Sequence, residues 1–279
     1  MTVKYNNPGT TSANSAGAFK DGAAYSAGDV GNFSQGAAAV TTNLSNAGTD
    51  LLGVVLGPRF AGNYGTSAGY AEHVINQTGT GYFDSQSLSP EVWLSGGGAS
   101  NVINEIRIRP ANPAQVFRLT SCTNAKTFQS SASLIVTSSV TLADMYFSGT
   151  ASATIAEHSS DLVALLELLF GAPRVLLKRD WTTARVNAGV LTTDLQEPSG
   201  AAGGTLELRN GVWKPVYGNV GTGTLLGGII DATELKGDVT VSAGTLAGAV
   251  LIKKRRNGPA LTLSALTPIG GEPLIEYVD

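Results

Sequence analysis

From about residue 101 onward the chain repeats one local pattern, in which short runs of β-branched or apolar residues are closed by Gly, Ser, Thr, Asn or Pro at intervals of roughly 8 to 15 residues. That rhythm is too short for a succession of crossover helices and points to an all-β body. In Asn104–Arg109, Ile106 and Ile108 fall on one side of a strand, while Glu105, Arg107 and Arg109 fall on the other. Pro110, which has no N–H to give to a ladder, ends that run. Leu134 and Val136, Val140 and Leu142, then Tyr146 and Phe147 are carried the same way by Ser/Thr-rich connections. Asn210-Gly211, between Thr205–Arg209 and Val212–Tyr217, has the composition of a two-residue hairpin turn, and Pro215 would put its second strand at a sheet edge. A second hairpin is expected around Asn257-Gly258-Pro259, between Ala249–Lys253 and Ala260–Ser264. No motif fixes strand order, so a short-strand β-sandwich or jelly roll and a β-solenoid both fit.

One segment departs from the pattern. Thr154 and Glu157 have capping-box spacing ahead of the apolar run Leu162–Phe170, and Gly171 and Pro173 supply a stop. This predicts one short buried helix near 155–170, beginning after Thr154 or after Ser160, with a buried strand as the competing reading.

The first hundred residues differ in kind. They hold three basic groups (Lys4, Lys20, Arg59) and six acidic ones, against 15 of each in residues 101–279. The stretch Pro8–Gly28 is rich in Gly, Ser and Ala and poor in bulky apolar groups, so it has little with which to offset the entropy of ordering it. The expectation is an extended Gly/Ser/Ala-rich N-terminal arm and attachment region over 1–100, ordered by neighbouring subunits, and a mainly β body over 101–279.

Composition narrows function by exclusion. Charged residues are 14% of the chain and the formal charge is −3, against roughly 25% charged in an ordinary domain. The surface must therefore present Ser, Thr, Asn and Gly to water or be hidden against partners. No broad cationic field exists, which makes nucleic acid an unlikely partner. One cysteine, Cys122, and two histidines, His73 and His158, do not suffice for a disulfide framework or a Cys/His metal centre, and no cofactor is expected. Leu162–Phe170 is the longest strongly apolar run and falls far short of the ~18 residues of a membrane span. The opening Met1–Pro8 lacks the apolar core of a signal peptide, so folding in the cytoplasm is expected.

Candidate chemistry is thin. Gly65-Thr-Ser67-Ala-Gly69 matches a nucleophile elbow, but no apolar strand precedes it, and Ser-Ala-Gly recurs at Ser15, Ser26 and Ser242. Glu157, His158 and Asp161 would share one helical turn, an arrangement that the helix dipole already explains. Asp144, Asp180, Asp194, Glu207, Asp231, Glu234 and Asp238 are carboxylates that neighbouring coils of a solenoid can bring together for glycoside cleavage. Tyr64, Tyr70, Tyr82, Trp93, Trp181 and Trp213 are available to stack on sugars. Lys253-Lys254-Arg255-Arg256 is the one dense charge run; solvation of an edge is its plain account and a docking patch for an acidic partner surface the sharper one.

The charge-poor leader Thr11–Gly17 through Asn32–Gly36, the Ser/Thr-rich short strands and the late basic run together resemble bacteriophage virion structural proteins, such as head-decoration, fibre and spike components. The resemblance implies a non-enzymatic, homo-oligomeric and most often trimeric component of the virion, assembled in host cytoplasm onto other virion proteins. The alternative within the same resemblance is a receptor-binding or tail-spike protein that binds or cleaves host-surface carbohydrate. Enzymatic spikes are usually much longer than 279 residues, which weighs against a complete depolymerase.

Overall fold

The computed structural model of the chain describes residues 1–158, 162–195, 203–263, 265–270 and 273–279. With 58% strand and 2% helix it is mainly β, wound as a parallel β-solenoid of about 11 turns. Of the two architectures that the short strands allowed, the solenoid is the one formed. The chain divides into two compact units, Met1–Leu142 and Ala143–Asp279.

In the first unit the strands are β1 (Val3–Tyr5), β2 (Val30–Gly36), β3 (Ser45–Asp50), β4 (Gly53–Phe60), β5 (Ala71–Val74), β6 (Tyr82–Ser85), β7 (Glu91–Ser95), β8 (Val102–Ile108), β9 (Val116–Thr120), β10 (Cys122–Gln129) and β11 (Ser133–Val136). One sheet runs β1-β2-β4-β6-β8-β10 and the other β3-β5-β7-β9-β11, with parallel pairing throughout. From β2 onward successive strands alternate between sheets, so each coil lays its strand on the equivalent strand of the coil before, at the ~4.8 Å spacing of a hydrogen-bonded ladder. Residues in register therefore form columns. Tyr64, Val92, Phe117 and Leu134 make one inward column, reached through parallel bridges and strand register. Rings from the opposite sheet meet it edge-on: Phe33–Tyr64 at 5.1 Å, Tyr64–Phe83 at 6.0 Å and Phe83–Phe117 at 5.6 Å between centroids. Such pairs contribute roughly 0.5–1.5 kcal/mol each beyond area burial.

The N-terminal end of this unit is closed. Asn6 and Phe19 form an antiparallel bridge, Asn7 N–H donates to Ala18 O at 2.9 Å and Lys20 N–H to Tyr5 O at 3.0 Å. Residues 18–20 thus return beside the end of β1 and occupy the Tyr5 carbonyl and the Asn7 N–H just beyond it, which shields that part of the edge from pairing. Phe19, buried beneath this return, packs on Phe33 at 5.9 Å, and Lys4 is buried with its ammonium 2.6 Å from Asp21. The expected extended arm is accordingly not what the leader forms. Its few bulky residues, Phe19, Tyr25 and Phe33, are spaced so that each reaches the interior, and polar groups take over the rest: Asn14 accepts from Tyr25 N–H at 3.0 Å, and Asn6 donates to Gln35 O at 2.8 Å.

The second unit contains β12 (Val140–Gly149, entering from the first unit's range), β13 (Ser152–Ile155), β14 (Val163–Gly171), β15 (Arg174–Leu177), β16 (Trp181–Val186), β17 (Val190–Asp194), β18 (Gly203–Leu208), β19 (Val212–Tyr217), β20 (Val220–Leu225), β21 (Gly228–Ala232), β22 (Val239–Leu246), β23 (Val250–Arg255), β24 (Leu261–Thr262), β25 (Leu266–Pro268) and β26 (Leu274–Val278). One sheet is β12-β14-β16-β18-β20-β22-β24, with β25 also on β22; the other is β13-β15-β17-β19-β21-β23-β26. Register in the second sheet stacks Ala153, Val175, Leu191, Trp213, Ile230, Ile252 and Ile275 in a single inward column. All but the last are buried; Ile275, on the outermost strand of this sheet among the described residues, is 45% exposed. Every residue of β26 is exposed, and among the described residues its outer edge has no strand partner.

Three sequence expectations are corrected here. The helix near 155–170 is instead the strand pair β13 and β14. β14 has in-register neighbours on both sides, Leu166 between Met145 and Ala184 for example, and that pairing decides a run of leucines that periodicity cannot type. A bulge opposite Phe147 and Ser148 skips Leu169 and turns Phe170 outward to 66% exposure. Ser160, the second proposed helix start, lies outside the described residues. Neither Asn-Gly turn makes a hairpin: β18 and β19 lie in different sheets, as do β23 and β24, so each turn is a coil corner. Pro215 is not on an edge strand either. β19 runs between β17 and β21, but its pairing with β21 covers only Val212 and Trp213, and a bulge interrupts the β17 side just past Pro215.

Candidate functional site

One buried polar network of the first unit is centred on His73. β5 carries it inward, fully buried, where its Nδ1 lies 3.2 Å from Asn46 Oδ1 and its Nε2 2.7 Å from the Tyr64 hydroxyl. Asn46 Oδ1 also accepts the Val74 N–H at 3.3 Å and its amide donates to Thr49 O at 2.7 Å, so the His73 Nδ1–H must be a donor. Nε2 is then the acceptor, and the Tyr64 O–H donates to it. Burial drives the imidazole pKa down to about 3 and raises those of the Tyr64 and Tyr25 phenols. Both ring nitrogens are consumed, so His73 has none with which to activate a nucleophile.

A neutral buried histidine makes stability depend on pH. The folded pKa lies below the unfolded value of about 6.5, so the unfolded state binds the extra proton as pH falls. The contribution is whole above pH 6.5 and declines by up to about 1.4 kcal/mol per pH unit below it. Between pH 6.5 and 5, above the main carboxylate range, unfolding free energy should fall by about 1.6 kcal/mol. His73→Gln should flatten that slope; denaturant titrations at the two pH values check it, and an unchanged slope would contradict the assignment.

Beside this network lies a surface pocket of about 310 Å³ lined by Ser45, Asn46, Asp50, Glu72, Val74, Gly96, Gly97 and Asn101. The Asp50 carboxylate is held by the Asn76 and Gln77 N–H groups at 2.8 and 3.0 Å. On the outward face of the same sheet Trp93 meets Tyr70 edge-on at 5.3 Å between centroids, and the Arg118 guanidinium lies 4.2 Å over the indole. Arg118 also pairs with Glu91 at 3.1 Å, which accepts from the Trp93 N–H at 3.2 Å. Of the six aromatics considered for sugar stacking, Tyr64, Trp181 and Trp213 are core residues, whereas Tyr70, Trp93 and Tyr82 are half-exposed.

The other sequence candidates are dispersed. Ser67 sits exposed in a tight turn closed by Thr66 and Gly69, and His73 is turned inward to Tyr64 and Asn46, so no nucleophile elbow forms. His158 and Glu157 follow β13 in an irregular segment, and Asp161 lies outside the described residues. Cys122 is buried, and burial pushes its thiol up to about 12, as expected of a packing residue. Among the described residues no group of three His, Cys, Asp or Glu is placed to hold a metal ion. Of the carboxylates proposed for glycoside cleavage, Glu207 is engaged by Arg185 and Arg209 at 3.3 Å, Asp231 by Lys214 at 3.2 Å and Asp238 by Ala260 N–H at 2.7 Å, whereas Asp194 is buried with its Oδ1 unpartnered among the described residues.

The basic run lies on β23 and the turn after it, and β26 answers much of it. Lys253 pairs with Glu276 at 3.4 Å and Arg256 with Asp279 at 3.2 Å, while Lys254 and Arg256 both lie over the Tyr277 ring. Arg255 is exposed and among the described residues makes no ion pair. Comparison with protein-family models, curated proteins and solved structures found no match to the chain.

What the sequence reading missed is a pair of outward columns on the second sheet of the second unit. Val190, Val212, Ile229, Leu251 and Leu274 stack in register, and two residues further along the strands Lys214, Asp231, Lys253 and Glu276 form a column of alternating sign. A signal was there: Val212-Trp-Lys, Ile229-Ile-Asp, Leu251-Ile-Lys and Leu274-Ile-Glu are one tripeptide form, aliphatic, bulky apolar, charged, repeated at uneven spacing.

Proposed function

We propose that the chain is a non-enzymatic structural component of a bacteriophage particle, a capsid decoration, head fibre or tail-associated protein that assembles with copies of itself and with other virion proteins. The carrying observation is how the coils use their side chains. Inward columns fill the interior, and several outward charges, Arg118, Arg185, Lys214 and Lys253 among them, are matched by a neighbour one coil away, so what the sequence specifies is a repeating surface. The particle itself rests on the resemblance of the leader and the Ser/Thr-rich strands to virion proteins. Residues 1–100 serve as the attachment region in this reading, the body faces outward or links neighbours, and exposed Arg255 leads any docking of the basic run to an acidic surface. Quantitative mass spectrometry of purified particles should find the chain in a fixed copy number; particles lacking it, with the protein free in the lysate, would overturn the proposal.

A second reading has its own support in the Tyr70, Trp93 and Arg118 cluster beside the polar pocket: binding of a host-surface glycan, with stacking on the indole and hydrogen bonds to Glu72 and Asn101 of the pocket lining. A glycan array with a reducing-sugar assay separates the two, and silence in both retires it.

A further inference from the structure

We infer that the outward face of the β17-β19-β21-β23-β26 sheet is a self-association surface that takes a second copy of this chain across a two-fold axis lying in the interface along the strand direction. It goes beyond the particle proposal, since it concerns the isolated protein in solution.

The aliphatic column Val190, Val212, Ile229, Leu251 and Leu274 is half-buried over its first four members, and Leu274 is 69% exposed. A partly exposed aliphatic stripe, rimmed by charge, is typical of an interaction site. The partner's identity follows from the charges. Read along the solenoid, the neighbouring column is Lys214, Asp231, Lys253, Glu276: plus, minus, plus, minus. Rotation about an axis along the strands keeps each column facing its own kind but reverses its order. Lys214 then opposes Glu276 of the second copy and Asp231 opposes Lys253, each contact occurring twice by symmetry. All four contacts join opposite charges, and Val212 opposes Leu274 while Ile229 opposes Leu251.

Other arrangements lose this match. An axis along the solenoid direction sets the charged column against the aliphatic one and leaves ions desolvated without partners. A three-fold arrangement of parallel copies about this face keeps equal heights together, so that Lys meets Lys. The surface therefore selects an antiparallel pair over the trimer that the resemblance implies. The intrachain ion pairs Lys214–Asp231 at 3.2 Å and Lys253–Glu276 at 3.4 Å hold the side chains in place before the copies meet.

The test uses the full chain. Sedimentation should give a concentration-dependent species of twice 28.5 kDa. Lys253→Glu alone and Asp231→Lys alone each create two like-charge contacts in a homodimer and should weaken it by roughly a hundredfold. Mixed in equal amounts, the two variants again oppose unlike charges at all four positions and should recover the wild-type affinity as a one-to-one heterodimer, an outcome that no loss of folding can imitate. Independently, a short bis-maleimide should link Ile229→Cys to Leu251→Cys in a mixture more efficiently than either to itself, with buried Cys122 as silent background. A wild-type monomer at all concentrations, a trimer, or a mixture no tighter than its components overturns the inference. None of these outcomes bears on whether the chain enters a particle, so the two proposals fail separately.

Discussion

Trp213→Ala is expected to destabilise the second unit by about 3–5 kcal/mol, the usual cost of deleting a large buried ring. Trp213 is fully buried at the middle of the inward column, between Leu191 and Ile230 in register. Its indole N–H donates to Thr193 Oγ1 at 3.1 Å, so truncation leaves both a cavity and a buried hydroxyl short of a partner. The coils cannot collapse into the space, because ladder hydrogen bonds to the neighbours above and below set their separation. Denaturant unfolding followed by far-UV circular dichroism reads the change. Trp213→Phe, which keeps most of the volume but loses the hydrogen bond, should fall in between. A loss under 1 kcal/mol for Ala would mean that the column is not close-packed.

The second large effect is expected from Gly244→Ala. Gly244 in β22 has a φ of +131°, which L side chains rarely adopt, and a Cβ placed there would lie 1.9 Å from the carbonyl oxygen of Gly223, its register partner on β20. Backbone strain of roughly 1–3 kcal/mol adds to overpacking of similar size, so a loss of about 3 kcal/mol or more is expected. The obstructing atom is backbone, held in a parallel ladder, and cannot swing aside like a side chain. Gly270, whose φ is +86° but whose Cβ would meet nothing within 4 Å, is the control: its Ala variant carries the dihedral strain alone and should lose less. Equal losses at the two sites would remove the steric part of the explanation.

Much of the fold was legible because strand alternation is local. Ile106 and Ile108 are fully buried and Arg109 is exposed, as the period-two pattern requires. What was not legible is what lies across a ladder. Leu162–Phe170 reads equally well as a buried helix, and only Met145 and Ala184 on either side of Leu166 make it a strand. The Asn-Gly dipeptides correctly mark sharp changes of direction, but a turn does not reveal whether the next strand pairs with the last one or with a strand some 20 residues away. The leader reads as coreless because its bulky groups are sparse along the sequence. Phe19, Tyr25 and Phe33 are few, yet each is buried, because a narrow interior needs few side chains per coil. The basic run was seen as a patch on its own because Glu276 and Asp279, which answer it, are more than twenty residues further on.

The unequal treatment of the two terminal ladders has a practical consequence. A synthetic strand laid along β1 would have to dislodge the antiparallel return of residues 18–20 to reach the Tyr5 carbonyl. One laid along β26 would meet an edge with no strand partner among the described residues and the 45% exposed Ile275. A designed strand meant to add a rung should therefore dock on β26 more readily than on β1.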